Sequence, residues 1–451
     1  MEKKRSNFTG KIGFVLAAAG SAVGLGNLWR FPYLAAKYGG GIFLLVYIIL
    51  AVTFGFALMI GEISIGRKTG LSAIGAFKKI NKKFAFIGYL AALVPIIIYP
   101  YYSVIGGWVV KYCTTFLTGE AGAAAEDAYF GNFIGQIGQP LLWLAVFLLA
   151  TAMIVLLGVN KGVENASKFM MPLLVVLTIG IAIYSITLPG AMDGLIYYIK
   201  PNFQHCSIKT IVAAMGQLFY SMSLAMGIMI TYGSYMKKGT NLETSVSQIE
   251  IFDTAIAFFA GMMIVPAVFV FNGGDGAAIN AGPGLMFSTL PKVFNTMPMG
   301  NLIGLLFFVL VLFAALTSSI SLLETITSII CDKLHWERKL TIIVITLFSF
   351  SLAIPSSLGF GVLGHIMPLG MDFLTFFDFI SNSILMPIVA FLTCIFIGYI
   401  AKPTIVIDEV KLNGPFKREK LFVIMTKYIA PICLIIILVS SILSALGIFT
   451  I

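Results

Sequence analysis

Gly20-Ser21-Ala22-Val23-Gly24-Leu25-Gly26-Asn27-Leu28-Trp29-Arg30-Phe31-Pro32 breaks an apolar stretch of membrane-spanning length with glycines and polar side chains where a helix should run on. Glycine weakens a helix, and small side chains leave its backbone open. In hydrocarbon an opened backbone persists only where it lines a cavity or holds a ligand. The stretch therefore reads as a binding site built from main chain at membrane depth. Gly20 and Gly24 alone would equally suit a small-residue helix-packing face; the Gly26-Asn27 and Arg30-Phe31-Pro32 that follow favour the site.

Around this stretch the whole chain is apolar. Of 451 residues, 59% are hydrophobic and only 11% charged, and mean hydropathy is +1.00, with repeated apolar runs long enough to span a bilayer. The chain is an all-α polytopic membrane protein by this reading. Its first apolar segment follows Met1-Glu2-Lys3-Lys4-Arg5 as a signal peptide would, yet it lacks a small-residue cleavage site and carries Asn27 and Arg30. It is expected to remain as the first span. Cys113, Cys206, Cys331, Cys394 and Cys433 fall singly, without CxxC spacing, and read as core residues. His205, His335 and His365 are too far apart to suggest a metal cluster.

Hydropathy and turn signals place about eleven spans, near 12–36, 41–66, 84–118, 140–159, 168–188, 208–236, 248–272, 300–331, 340–355, 374–400 and 422–448. With the N-terminus in the cytoplasm, the inside segments carry 22 of the 29 Lys and Arg residues. That asymmetry sets the expected orientation and makes the net charge of +10 a topology signal, with no nucleic-acid partner implied. An odd number of spans leaves the C-terminus extracellular, in a multi-pass protein of the cell membrane. Two external segments stand out, Leu188 to Phe203 and Asn280 to Phe287. The second is apolar enough to fold back as a short re-entrant helical hairpin over an outer vestibule, or else to pack as an ordinary loop.

The sixth span repeats the oddity of the first. Gly216-Gln217-Leu218-Phe219-Tyr220-Ser221-Met222-Ser223-Leu224-Ala225-Met226-Gly227 sets a glutamine, a tyrosine and two serines in the middle of an apolar helix, and it opens a second group of five spans. Interrupted helices at corresponding places in two halves point to inverted repeats around a central site: a first five-helix repeat over 1–190, an inverted second over 205–400, and an additional C-terminal helix over 421–451.

With these residues the chain resembles the neurotransmitter:sodium symporters, especially their bacterial amino-acid transporters with the bacterial leucine transporter fold. The pieces that carry the resemblance are Ala19 to Tyr33, Tyr101-Tyr102 with Trp108, Gly216-Gln217 to Ser223, and Ala314-Ala315-Leu316-Thr317-Ser318-Ser319. It runs from Arg5 to the tenth span. The resemblance implies a fold of unwound first and sixth helices and a function of sodium-coupled symport of an amino acid by alternating access, with no enzyme activity and no organic cofactor.

A zwitterion needs positive partial charge for its carboxylate and negative partial charge for its ammonium, which helix ends supply without net charge. By resemblance, the amides near Ala22, Leu25 and Gly26 and the Tyr102 hydroxyl hold the carboxylate, and carbonyls at the break in the sixth span hold the ammonium. As an interfacial aromatic, Tyr102 would have no such role; its mid-span position favours binding. Two sodium ions are implied. One would take the Ala22 carbonyl, Asn27, Ser221 and Asp253; the other the carbonyls of Gly20, Val23 and Ala314 with the hydroxyls of Thr317 and Ser318. The alternative for Thr317 and Ser318 is back-bonding to their own helix.

Asp253 departs from much of the family, where asparagine is common. Many animal members bind chloride nearby, and a carboxylate inside the membrane can supply that negative charge itself, so the expectation is chloride-independent transport. For the gates, the resemblance pairs Arg30, directly or through water, with Asp378 above a Tyr220 cap, and Arg5 with Asp332 beside Phe8 and Tyr235. The family usually has tryptophan at Phe8, which implies a weaker inner plug. The side-chain pocket by resemblance comprises Ile98, Tyr220, Ser223, Met226, Ser318 and Leu322; it lacks a charged partner and includes an adaptable methionine. A large hydrophobic or aromatic L-amino acid is the expected substrate. A channel or a non-transporting amino-acid sensor on the same fold is the other class considered, and neither a ring of filter residues nor an appended signalling domain supports it.

Overall fold

The computed structural model describes residues 7–271 and 283–445. Among them the chain is helical, with a single isolated bridge between Gly40 and Pro201. Nine helices are long and apolar enough to cross a bilayer: Gly41–Thr69, Lys82–Leu117, Gly138–Leu156, Val159–Ile186, Leu242–Phe271, Gly300–Leu334, Arg338–Leu358, Phe373–Ile400 and Glu419–Ala445. The pair Lys11–Ala22 and Gly26–Lys37, bent by 53° at a short break, makes a further span. Ile208–Ser221 and Ile228–Ser234 form the other broken one. At 1.5 Å per residue neither of these halves crosses ~30 Å of hydrocarbon alone, and together they do.

Each break follows from local chemistry. The first helix ends at Ala22, and the next turn begins at Gly26, where Pro32 sits in the first turn of the α-helical part. In the sixth span the backbone passes through left-handed conformations at Ser223 (φ 52°), Ala225 (φ 60°) and Gly227 (φ 73°) before it re-enters a helix at Ile228. Left-handed backbone is costly for a non-glycine residue and persists only where surrounding contacts hold it. Here the Ala225 amide donates to the buried Glu62 carboxylate at 2.7 Å.

The two broken spans lie at the centre of the bundle. Phe14, Ala18, Val23, Leu25, Leu28, Leu218, Met222 and Leu224 are buried, whereas the fourth, fifth, ninth and eleventh spans expose Leu149, Met153, Val176, Leu347 and Ile432 on their outer faces, as lipid-facing helices do. Close approach is built in where glycines meet: a side chain at Gly66 would collide with the Ile230 carbonyl at 1.8 Å, and one at Gly233 with the Ile63 carbonyl at 2.3 Å. The second span and the second half of the sixth therefore touch backbone to backbone.

Of the second external segment, residues 280–282 lie outside the described residues. Its continuation, Leu285–Thr289 and Leu290–Thr296, is helical and turned inward, burying Leu285, Met286, Phe287 and Leu290. The Phe287 ring sits 5.8 Å from Trp108 and 6.4 Å from Trp29. The first external segment forms the surface helix Ala191–Ile199, anchored by Tyr198. One cysteine corrects the reading of all five as core: Cys206 is exposed, because its loop connects the fifth and sixth spans over the surface, while Cys394 is buried and the other three are partly so.

Candidate functional site

The end of the first half-helix supplies the acceptors. A helix leaves its last carbonyls without intrahelical partners, and here only the Ala19 carbonyl is closed, by the Val23 amide. The Gly24 amide turns instead to Asn27 Oδ1 at 3.1 Å. The Ser21 carbonyl accepts from Ser223 Oγ at 2.9 Å and from Ser318 Oγ at 3.1 Å, so three separate spans converge on one freed backbone group. The helix that starts at Gly26 points its N-terminal amides back into the same gap, where the helix dipole favours negative charge.

All eleven side chains and backbone positions expected to contact a substrate, Ala22, Leu25, Gly26, Ile98, Tyr102, Tyr220, Ser221, Ser223, Met226, Ser318 and Leu322, line one cavity of about 40 Å³, together with Ser21, Gly24, Asn27 and Ile228. No charged side chain lines it. Tyr102 is buried and its hydroxyl closes no well-formed hydrogen bond, with only the Ser318 hydroxyl and the Leu25 amide beside it; it stands within 3.3 Å of where a Gly24 side chain would begin. A buried hydroxyl so weakly engaged beside helix-end amides is a donor suited to an acceptor such as a carboxylate oxygen.

Asp253 sits beside this cavity at the centre of a polar cluster. Its Oδ1 accepts from Asn27 Nδ2 at 2.8 Å and from Ser221 Oγ at 2.7 Å, and its Oδ2 accepts from the Tyr47 hydroxyl at 3.0 Å. Asn27, Ser221 and Asp253, expected together on one sodium ion, are thus in mutual contact and fully or nearly fully buried. At the second expected sodium position, Gly20 faces Thr317, whose Cβ is 3.3 Å from a built Gly20 side chain. Thr317 Oγ1 bonds back to the Phe313 and Ala314 carbonyls of its own helix, which is the back-bonding alternative, whereas Ser318 bonds across to Ser21. The lone pairs of both hydroxyls remain available to a cation.

Towards the face that carries few lysines and arginines lies a second cavity of about 510 Å³, lined by Arg30, Tyr101, Tyr220 and Asp378. Tyr220 borders both cavities and separates them. Arg30 and Asp378 form no direct ion pair: the Arg30 guanidinium lies 5.3 Å from the Tyr220 ring, and Asp378 accepts from Asn382 Nδ2 at 2.6 Å and the Tyr101 hydroxyl at 3.1 Å. The carboxylate thus has neutral partners on its own and the third span, and the arginine stays over the aromatic cap.

At the opposite end Phe8 is only 1% exposed. Its ring packs edge-on against Phe14, Tyr232 and Tyr235, and its amide donates to the Tyr235 carbonyl at 3.0 Å. The passage is closed there by phenylalanine. Arg5 lies outside the described residues; Asp332 accepts from the Ser72 amide at 2.9 Å and its hydroxyl at 2.6 Å. The Tyr235 hydroxyl donates to buried Glu324 at 2.8 Å, which in turn pairs with Arg338.

Sequence reasoning missed Tyr47, Glu62, Glu324 and Arg338, and singled out Gln217 without giving it a role. Gln217 donates to the Gly26 carbonyl at 2.9 Å, tying the two broken helices together. Glu62 and Glu324 carried a signal, as acids inside apolar spans; a mid-span tyrosine such as Tyr47 carries none by itself.

The profile of the Sodium:neurotransmitter symporter family matches residues 5–130 and 128–448. The uncharacterized sodium-dependent transporter YhdH of Bacillus subtilis (strain 168) is 35% identical over 449 residues, covering 98% of both chains. An uncharacterized sodium-dependent transporter of Haemophilus influenzae (strain ATCC 51907 / DSM 11121 / KW20 / Rd) is 32% identical over 97% of this chain and 98% of its own. Among solved structures, the crystal structure of MhsT in complex with L-phenylalanine superposes with a TM-score of 0.88 at 37% identity, covering 97% of this chain and all of that one. Profile, full-length relatives and fold agree with two broken helices around an uncharged cavity: the chain belongs to the sodium:neurotransmitter symporter family, whose members are sodium-coupled transporters and not enzymes.

Proposed function

We propose that this protein carries a hydrophobic or aromatic L-amino acid into the cell together with two sodium ions, by alternating access and without chloride. The observation that carries the reading is the cavity at the two helix breaks, in which the Tyr102 hydroxyl, without a well-formed hydrogen bond of its own, faces helix-end amides and no side-chain charge is present. The substrate carboxylate takes the amides near Ala22, Leu25 and Gly26 with Tyr102; its ammonium takes carbonyls at the break in the sixth span. Ile98, Met226 and Leu322 receive the side chain. That the solved MhsT holds L-phenylalanine supports a large apolar substrate here. The cavity of about 40 Å³ is on the scale of a few waters, so Met226 and Tyr220 repack around a bound ring.

One sodium ion sits among Asn27, Ser221, Asp253 and the Ala22 carbonyl, the other among Thr317, Ser318 and the carbonyls of Gly20, Val23 and Ala314. Asp253 supplies the negative charge that balances them. Opening on one side moves Tyr220, Arg30 and Asp378; opening on the other releases Phe8 and Tyr235, together with a pairing of Arg5 and Asp332. The lysine- and arginine-rich face is cytoplasmic, with the N-terminus there and the C-terminus extracellular. The two groups of five spans, 1–190 and 205–400, act as inverted repeats, and 421–451 adds a further helix. The test is uptake of labelled amino acids into proteoliposomes with and without an inward sodium gradient, in chloride or gluconate. Sodium-driven accumulation of tyrosine, tryptophan, phenylalanine or leucine, equal in both anions, supports the reading. Binding without accumulation refutes transport, and loss of uptake in gluconate refutes chloride independence.

A further inference from the structure

The segment between the tenth and eleventh spans, residues 401–418, is not a free loop. Its helix Thr404–Lys411 buries Val406, Glu409 and Val410. Glu409 Oε1 accepts from Arg67 Nε at 2.8 Å, with the arginine side chain fully buried and the carboxylate 5% exposed. Lys238 reaches the same oxygen at 2.7 Å. Arg67 Nη1 donates to the Thr240 carbonyl at 2.7 Å and to Asn413 Oδ1 at 3.5 Å, and Nη2 to the Glu409 carbonyl. Farther along, Asn241 Nδ2 donates to the Asn413 carbonyl at 2.8 Å, and Glu243 accepts from the Lys417 and Arg418 amides at 2.9 and 3.0 Å. The Arg418 guanidinium lies over the Phe56 ring at 3.3 Å and pairs with Glu250 at 3.2 Å.

Besides the eleventh span that the segment leads into, through Lys411 with Glu419 and Phe416 with Phe422, these contacts join it to the second span (Arg67, Phe56), the chain leaving the second half of the sixth (Lys238, Thr240, Asn241), and the seventh span (Glu243, Glu250). That half of the sixth span is seven residues long, too short to hold its shape by itself, and it is severed from its first half by left-handed turns. It is held on one side by the backbone contact at Gly66 and Gly233 and at its end by Arg67. A buried arginine is expensive unless it is well hydrogen-bonded; here each of its three nitrogens donates, to groups from two different segments, which fixes one arrangement of both.

We propose that Arg67 and Glu409 are positioning residues of the transport cycle: through the 401–418 strap they keep the second span, the second half of the sixth and the seventh together as one body, so that the cavity wall at Ser223 to Ile228 keeps its form while the passage opens elsewhere. The break occurs instead at the neighbouring contacts of Phe8 with Tyr235 and of Thr9 with Glu164. The proposal rests on the alternating-access reading above.

The test joins strap to helix covalently. Asn241→Cys and Asn413→Cys, in a protein whose exposed Cys206 is changed to serine, are bridged with a short bifunctional methanethiosulfonate in proteoliposomes. Bridged protein is expected to keep at least about half its uptake rate, and Glu409→Gln, which alone lowers the rate about tenfold while leaving the substrate Kd within about twofold, is expected to recover when bridged. Block of uptake by the bridge with recovery in reductant overturns the proposal, as does Glu409→Gln transporting at the parent rate. If Glu409→Gln does not fold, the bridged parent decides alone. If no sample transports, the transport reading fails, and spin labels at Gly239→Cys and Asp408→Cys judge the strap: a distance that is the same with and without sodium supports it, and one that spreads refutes it.

Discussion

Tyr102→Phe separates binding from folding because the atom it removes closes no well-formed hydrogen bond in the protein. The hydroxyl is buried with only imperfect contacts to Ser318 and the Leu25 amide, and a buried polar group without a full hydrogen bond costs about 1–3 kcal/mol. Deleting it leaves the ring in place, so the substrate-free protein is expected to gain stability, by about 1 kcal/mol at the low end of that range. With substrate bound the sign reverses. A phenol donating to a carboxylate is a charge-assisted bond worth about 1.5–3 kcal/mol, which at 1.4 kcal/mol per decade is a loss of roughly 10- to 150-fold in affinity. The assay pairs thermal unfolding in detergent without amino acid with equilibrium binding of a labelled substrate at saturating sodium. A substrate Kd within about twofold of the parent would falsify the carboxylate assignment. An unfolding temperature lowered by the substitution would show that the hydroxyl has a partner after all.

Asp253→Asn keeps the shape of the polar cluster, since an amide oxygen still accepts from Asn27 and Ser221 while the amide nitrogen donates to the Tyr47 oxygen instead of accepting from its hydroxyl, and removes the charge. At about 4 Å and an effective dielectric of about 20 that charge is worth about 4 kcal/mol to a sodium ion; taking half for the retained oxygen and for screening, half-saturating sodium is expected to rise about 30-fold and to fall again when chloride is supplied. Sodium titrations of uptake in gluconate and chloride check this, and a curve unmoved in either anion refutes it. Gly66→Ala drives a methyl group into the Ile230 carbonyl and is expected to lower stability by about 1–3 kcal/mol, whereas Gly180→Ala, which meets nothing within 4 Å, stays within about 0.5 kcal/mol; equal unfolding temperatures would be inconsistent with backbone contact between these helices. Met226→Phe fills the side-chain end of the cavity and is expected to shift the ratio of phenylalanine to alanine uptake at least about tenfold towards alanine, measured by competition.

Much of the architecture is legible in the amino-acid sequence. The break at Gly20 to Gly26 stands out because hydrocarbon permits so few reasons for an open backbone, and the broken sixth span because polar residues in a helix centre are costly unless used. Membrane-length runs and the lysine and arginine asymmetry mark the spans, since the bilayer imposes a fixed length on any helix that crosses it. The carboxylate at Asp253 announces itself by the same rule.

Relations between distant positions are not legible there. That Arg30 rests on Tyr220 while Asp378 is held by Tyr101 and Asn382 depends on how the first, third and tenth spans meet, and equally good partners were available in the sequence. Tyr47 completes the Asp253 cluster from 206 positions away. Arg67 and Glu409 are 342 positions apart and read separately as two more residues of a charged inner face. A bilayer acts on each segment by itself, so composition alone settled what crosses it, whereas which side chains pair inside the bundle depends on the angles and depths at which the helices pack, and those exist only once the chain has folded.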